Sequence, residues 1–156
     1  MIVVAEAQDV RYGLLESTDI EEMAALLADL FSRFDPPAVA VGLSFDEVRG
    51  LVRLFSRRAP DDGLTIVARA KPSGRLIGVM LTDDFTSPPP EGIDRMAKHF
   101  DPIAALLDGL DEQYRKTNRV LPGQIIHLFM LGVGAECRGP RYSPGRATSV
   151  PHLLQC

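Results

Sequence analysis

The chain has 156 residues, enough for one domain with a single core and too few for two of ordinary size. Seventeen basic and 21 acidic residues give a net charge of -4, and no basic stretch suits a phosphate backbone, so we do not expect nucleic-acid binding. No apolar run reaches the roughly 18 residues of a membrane span, and the first residues lack the basic start of a secretion signal. We therefore expect a cytoplasmic protein with no membrane contact.

Two amphipathic helices follow a short predicted strand at residues 10–15. Apolar residues recur there at three- and four-residue intervals, which is typical of one buried helix face. Pro36 and Pro37 end the first helix, and the second extends to Phe55. Each helix opens on a capping-box spacing, in which a hydroxyl and a later carboxylate bond free backbone amides. The pairs are Thr18 with Glu21 and Ser44 with Glu47.

A β-hairpin and a helical insert are predicted next. Residues 64–70 and 76–85 are rich in β-forming side chains and are joined by KPSGR, whose proline and glycine suit a tight turn. After a proline-rich loop, residues 93–100 and 101–116 have helical periodicity, with Asp101 as the cap of the second segment.

Residues 124–133 form an almost unbroken apolar run of strand length, suited to the middle of a sheet. The order is strand, helix, helix, strand, strand, helical insert, strand. This order predicts an α/β or α+β fold with a central sheet.

The last strand and the loop after it resemble a known family. The segment IHLFMLGVGAECRG, residues 126–139, is similar to the fourth strand and following loop of the GNAT superfamily of acyl-CoA-dependent N-acetyltransferases. In that family a strand ending in Leu-Gly-Val leads to Arg-Gly-x-Gly-x-Gly or Ala and then a helix. The order of elements agrees over residues 11–139. The resemblance, nearest to the arylalkylamine branch, implies a mixed, mostly antiparallel sheet flanked by helices and acetyl transfer from acetyl-CoA to a small primary amine.

The resemblance also implies which residues contact acetyl-CoA. The strand backbone would lie along pantetheine, and the loop amides at a helix N-terminus would bind the pyrophosphate. Gly132 and Gly134 fit a bulge or splay of the strand, although a simple turn would also explain them. The matching positions are Leu131, Gly132, Val133, Arg138 and Gly139. No metal site is expected, because neither Cys137 nor Cys156 has a ligand spacing.

After Gly139 the sequence departs from the family pattern. Glycines are expected at the positions of Arg141 and Ser143, and the prolines at 140 and 144 remove two amide donors from the phosphate loop. Only 23 residues follow Val133, counted as 156 minus 133, whereas one strand-helix-strand return needs roughly 30. We therefore expect a GNAT-like part at residues 1–139 without the C-terminal strands, and an irregular or disordered tail at residues 140–156.

A single inserted cytosine would explain the departure. The family pattern would be encoded by codons for Arg-Gly-Arg-Gly-Ile-Ala. With one extra base after the first glycine codon, those codons can be read as Arg-Gly-Pro-Arg-Tyr-Ser. This is the sequence of residues 138–143. The hypothesis is a chain truncated or frameshifted after Gly139, and it predicts impaired acetyl transfer in the chain as given.

Two residues are candidates for the base that deprotonates the amine. Asp35, in FDPP, matches a carboxylate that insect-type arylalkylamine acyltransferases carry before a proline; a helix-end turn residue is the alternative. His127 matches the first of two histidines that vertebrate-type enzymes place on this strand, and Phe129 occupies the second position. By alternation His127 would share a strand face with Phe129 and Leu131, and a core histidine is the alternative.

Four acidic residues could attract a cationic amine or could be solvated loop ends: Asp61, Asp62, Asp83 and Asp84. A rival function also remains open. The chain could be a non-catalytic interaction module, a truncated pseudoenzyme whose open sheet edge pairs with a partner, including a second copy as a homodimer.

Overall fold

The computed structural model describes residues 2–96 and 98–135. Their five strands form one sheet in chain order, and every neighbouring pair is antiparallel. The strands are β1 (Val3–Glu6), β2 (Val10–Leu14), β3 (Ile66–Ala70), β4 (Leu76–Asp84) and β5 (Ile126–Val133). The hairpin of β3 and β4 and the final strand were predicted. The exposed β1 was not, because it buries no face and so has no apolar alternation.

Helices flank the sheet in two groups. The helices are α1 (Ile20–Phe34), α2 (Pro36–Ala40), α3 (Phe45–Ser56), α4 (Ala59–Asp62) and α5 (Asp101–Thr117). The first four connect β2 to β3, and α5 connects β4 to β5. The predicted α/β architecture, with an antiparallel central sheet flanked by helices, is confirmed. None of the helices in residues 2–96 and 98–135 is long and apolar enough to cross a membrane.

Of the two predicted capping boxes, one is wrong and one is confirmed. The first capping box is formed by Glu16 and Asp19, not by Thr18 and Glu21. Glu21 instead accepts hydrogen bonds from Arg49 and Arg53 of α3, which join the two helices. Charge pairing between helices thus overrides the local spacing. The second box, Ser44 with Glu47, is confirmed.

The helical insert is also shorter than predicted. The described residues of its first half form two 3-10 turns, Ile93–Arg95 and Lys98–Phe100. Asp101 begins α5, but Phe100 is the N-cap and no side-chain cap bond is formed. No residue of α5 is buried, which means that this helix is held by few core contacts.

Helix α1 packs against strands β4 and β5. Met23, Ala24 and Leu27 are fully buried in the main core, together with Val67 and Val79 of the strands. A side chain on Gly132 of β5 would meet Leu27 Cδ2 at 2.6 Å and Leu30 Cδ1 at 2.9 Å. The glycine therefore allows α1 to lie close to β5.

Candidate active site

An irregularity in β5 decides which side chains share a face. Leu81 pairs with Met130 and Thr82 with Leu128, so Phe129 is the extra residue of a β-bulge. Leu131 then lies opposite Met80, while His127 lies opposite Asp83. These two β4 partners are three positions apart on a regular stretch of strand, so they face opposite sides of the sheet. The predicted sharing of one face by His127 and Leu131 is therefore wrong.

His127 contacts the carboxylate of Asp83. The distance from His127 Nδ1 to Asp83 Oδ1 is 3.1 Å, and the two side chains are 33% and 25% exposed. This hydrogen bond raises the pKa of His127, burial opposes the rise, and the negative charges of Asp83 and Asp111 add to it. The imidazole is thus a partly buried histidine with a carboxylate partner, and not a residue satisfied within an apolar core.

Aromatic side chains surround the imidazole. The ring centroids of Phe85 and Phe129 lie 5.9 Å and 6.4 Å from that of His127, both in edge-on arrangements. Phe129 stacks on Phe55 of α3 at 3.9 Å, and Phe85 meets Tyr114 of α5 edge-on at 5.7 Å. His127 therefore sits at an aromatic cluster formed by the ends of β4 and β5 with two helices.

Arg115 attaches α5 to this cluster. Its guanidinium lies 4.3 Å from the centroid of the Phe85 ring, and its Nη2 donates a hydrogen bond to the Phe85 carbonyl at 2.6 Å. One cation thus contacts both the ring and the backbone of Phe85, which fixes the last turns of α5 beside the end of β4.

Asp35 has a structural task. It ends α1 and begins α2, where its Oδ2 accepts a hydrogen bond from the Ala38 amide at 3.0 Å. This is the N-cap interaction that a carboxylate before a proline commonly makes. The geometry agrees with the helix-end alternative, and it leaves the other oxygen without a hydrogen bond among the described residues.

The course of α1 brings the two candidate bases to the same end of the sheet. Near the start of α1, Glu22 accepts a hydrogen bond from the Leu76 amide, at the beginning of β4. Further along, α1 contacts Gly132, which is opposite Val79 of β4. The helix therefore runs in the same sense as β4, toward the end where Asp83 and His127 lie. Asp35 follows five residues after Leu30, about 7.5 Å along the helix axis.

None of the other acidic candidates makes a hydrogen bond to His127 in the described part of the chain. Asp84 accepts hydrogen bonds from the Thr86 hydroxyl and from the backbone amides of Thr86 and Gly123. These bonds lower the pKa of Asp84. The bond to Gly123 also ties the end of β4 to the loop before β5. Asp61 and Asp62 are exposed in the short helix α4. Among residues 2–96 and 98–135, no three His, Cys, Asp or Glu side chains are arranged to hold a metal ion.

Sequence reasoning missed the role of Asp83 and the aromatic cluster. On sequence alone Asp83 is one of four acidic residues that could attract an amine, because nothing in a single sequence indicates which strand residues lie opposite each other. A usable signal did exist: the predicted strands 76–85 and 124–133 contain one histidine and two aspartates near their adjoining ends.

The outer edge of β5 is the candidate cofactor-binding surface. Gly134 donates its N–H to the Ile77 carbonyl of β4 at 2.7 Å. Backbone groups in an antiparallel ladder point alternately toward and away from the neighbouring strand. The backbone N–H and C=O of Gly132 are therefore directed toward β4, and those of Leu131 and Val133 are directed toward the outer edge. Strand β4 shows the same alternation. The Thr82 N–H donates to the Thr65 hydroxyl and the Thr82 C=O accepts from it, so the backbone groups of Thr82 are directed away from β5.

The glycines of β5 are not the site of its irregularity. β5 remains paired with β4 through Gly134, and the bulge lies at Phe129 instead. Gly132 is required for the packing of α1. The two loop candidates, Arg138 and Gly139, and the predicted tail at residues 140–156 lie outside the described residues.

Comparisons with known proteins give a likeness of fold. No protein-family model matches the sequence, and no curated protein is significantly similar. A solved C-terminal condensation domain of Ebony, in complex with beta-alanyl-dopamine, superposes with a TM-score of 0.72 at 17% identity, covering 86% of this chain and 61% of that one.

Two mosquito proteins are also similar. A putative arylalkylamine N-acetyltransferase 7 from the yellow fever mosquito Aedes aegypti has a TM-score of 0.63 at 21% identity, covering 83% of this chain and 55% of that one. Arylalkylamine N-acetyltransferase 2 from Aedes aegypti has a TM-score of 0.65 at 21% identity, covering 84% and 63%. The chain thus spans 55% to 63% of the length of these solved chains. The described part of this chain has a GNAT-like fold.

Proposed function

We propose that this chain is an acyl-CoA-dependent N-acetyltransferase that transfers acetyl from acetyl-CoA to a small primary amine. The observation that carries the proposal is the outer edge of β5, where the backbone of Leu131 is directed away from β4 within a GNAT-like sheet. The similar mosquito proteins support an amine as acceptor through their names alone.

The edge of β5 fits an extended, amide-containing ligand. A strand edge offers a row of N–H and C=O groups to which an extended ligand can bond. Pantetheine carries two amides, so the backbone of Leu131 would hold its arm, and Gly132 would keep α1 packed behind it. Arg138 and Gly139 would bind the pyrophosphate. The sequence after Gly139 lacks the expected glycines, so we expect acetyl-CoA binding and turnover to be impaired.

The chemistry requires a free amine and a stabilised oxyanion. Bound acetyl-CoA supplies a thioester whose carbonyl carbon is attacked by the amine nitrogen. The C–N bond forms while the C–S bond breaks, and the proton that the attacking nitrogen then loses passes to the departing coenzyme A thiolate, which leaves as the thiol. The Leu131 N–H is the proposed donor to the carbonyl oxygen as it gains charge. His127 is the proposed base that takes the ammonium proton, and Asp35 is the alternative. No nucleic acid, membrane or metal takes part.

Replacing Leu131 by proline tests this assignment. Because the Leu131 N–H points away from β4, Leu131→Pro removes the proposed oxyanion donor without removing a ladder hydrogen bond. We expect kcat to fall about 10²-fold relative to Leu131→Ala, which loses the side chain but keeps the amide. The measurement is release of coenzyme A thiol with a panel of small primary amines.

Circular dichroism of both variants must show folded protein. Equal kcat values for the proline and alanine variants would contradict the role of the amide. Absence of amine-dependent thiol release from the unaltered chain would contradict the proposed function itself.

The second candidate function is a non-catalytic interaction module. Several large apolar side chains are exposed on α5 and β5, namely Leu106, Leu107, Leu110, Ile126 and Leu128. Among the described residues β5 is an edge strand, and exposed apolar side chains near a strand edge are typical of a protein–protein contact. In this alternative a second copy of the chain would cover that surface and form a homodimer.

A further inference from the structure

We propose that Asp83 is a positioning residue that holds the Nδ1–H of His127 and so makes Nε2 the proton acceptor in the proposed acetyl transfer. The inference rests on the proposed function for its catalytic meaning. The pairing itself is a property of the described strands and can be tested without any substrate.

The tautomer of His127 follows from the chemistry of its partner. An ionised carboxylate only accepts hydrogen bonds, so at 3.1 Å from Asp83 Oδ1 the His127 Nδ1 must be the donor. A neutral imidazole carries one N–H, which leaves the lone pair on Nε2. Nε2 makes no hydrogen bond within the described part of the chain, and a third of the side chain is open to solvent.

The sheet fixes the pair. His127 and Asp83 are directly opposite each other on antiparallel neighbours, a position that sets the distance between their side chains through the backbone. The next ladder bond, from the Phe85 amide to the Ile125 carbonyl at 3.0 Å, holds the strands together beside them. Asp84 anchors the same strand end through the Gly123 amide. Groups held on paired strands are oriented better than groups on loops.

The charges around the imidazole favour a carboxylate-assisted base. Asp83 on β4 and Asp111 on α5 raise the pKa of His127, and Arg115 on α5 lowers it. The hydrogen bond with Asp83 is the largest of these effects, and Arg115 contacts the ring and carbonyl of Phe85. When Nε2 takes a proton, the imidazolium that forms faces this carboxylate, which stabilises it.

The proton would travel through water. His127 and Leu131 are four residues apart, roughly 10–13 Å along an extended strand that contains one bulge. An amine attacking a carbonyl near the Leu131 amide is therefore too far for direct contact with Nε2. The ammonium gives its proton to a water molecule, and a water proton passes to Nε2, so that the amine becomes neutral and the imidazole becomes imidazolium.

Asp83→Asn is the primary test because its shape is almost unchanged. An asparagine amide can donate to Nδ1, which shifts the proton of His127 to Nε2 and removes the acceptor. We expect kcat to fall about 10²-fold with little change in KM for acetyl-CoA. The acid limb of the pH–rate profile should move to lower pH, because the carboxylate that raises the pKa of His127 is lost.

Nitrogen NMR of the histidine side chains provides a readout that needs no activity. We expect His127 of the unaltered chain to be protonated on Nδ1 at high pH, and in Asp83→Asn we expect protonation on Nε2 with a lower pKa. Asp108→Asn is the matched control: it removes one exposed carboxylate from α5 and should change neither the tautomer nor kcat. In the double variant with His127→Gln, Asp83→Asn should cause no further loss.

The outcomes separate the two proposals. If the unaltered chain acetylates no amine, the proposed function fails, while the NMR result still decides the pairing. An unprotonated Nδ1 in the unaltered chain, or an unchanged tautomer and pKa in Asp83→Asn, overturns the positioning role. Loss of activity in Asp35→Asn with normal kcat and pH profile in Asp83→Asn also overturns it, because Asp35 would then be the base.

Discussion

At the residue scale, two positions of β5 have opposite requirements: one holds a polar side chain with a partner, and the other has no room for a side chain. His127 needs a partner across the ladder, and Asp83 supplies it at 3.1 Å. Gly132 needs the absence of a side chain, because Leu27 and Leu30 of α1 occupy the space where a Cβ would lie. The resemblance assigned Gly132 to cofactor binding, and its contacts with α1 give it a packing role as well.

Gly132→Ala tests the packing role. The new Cβ would lie 2.6 Å from Leu27 Cδ2, and Leu27 is fully buried, so a core side chain must shift. We expect a loss of about 1–3 kcal/mol in the free energy of unfolding, measured by urea denaturation. Gly109→Ala is the control, since that glycine lies within α5 with nothing near its Cβ, and we expect it to gain about 1 kcal/mol. Effects of the same sign would contradict the explanation.

At the element scale, the start of α1 is tied to the β3–β4 hairpin by one arginine. Arg69 of β3 bonds Asp19 at 2.6 Å, Glu22 at 3.1 Å and the Gly74 carbonyl at 2.8 Å. Its side chain is 18% exposed and that of Asp19 is 10% exposed. Glu22 in turn accepts from the Leu76 amide. This network sets the direction of α1 across the sheet.

Arg69→Met should be strongly destabilising. It keeps the aliphatic stem but leaves the carboxylate of Asp19 poorly solvated and without its cation, which costs about 3–5 kcal/mol for a buried pair. Arg33→Met removes the exposed ion pair with Asp29 within α1, and we expect a change below about 0.5 kcal/mol. Thermal unfolding of both variants provides the comparison. A similar loss of unfolding free energy in the two variants would show that the buried ion pair stabilises the fold no more than the exposed one.

At the scale of the whole molecule, large apolar side chains of both α5 and β5 are exposed among the described residues. Leu106 and Leu110 of α5 are 61% and 57% exposed, and Ile126 of β5 is 62% exposed. The chain spans 55% to 63% of the solved chains that it resembles. The interaction alternative predicts that a second copy of the chain covers these side chains.

Leu106→Glu with Leu110→Glu tests that alternative. Both side chains are largely exposed, so we expect the free energy of unfolding to change by less than about 0.5 kcal/mol. At tens of micromolar, light scattering should show self-association of the unaltered chain and a monomeric double variant. If the unaltered chain is monomeric, the homodimer is ruled out and acetyl transfer is favoured over the interaction module.

The sequence by itself determined the local structure: α1 and α3 from their apolar periodicity, the second capping box, the β3–β4 hairpin and the β5 strand. These features depend on residues a few positions apart, and they indicate a central sheet with flanking helices; the GNAT likeness came from the resemblance of residues 126–139. The tertiary structure alone decided the bulge at Phe129, the use of Glu21 between helices and the contact of His127 with Asp83. Those depend on strand register and helix packing between residues far apart, 44 positions for His127 and Asp83, which no local pattern encodes.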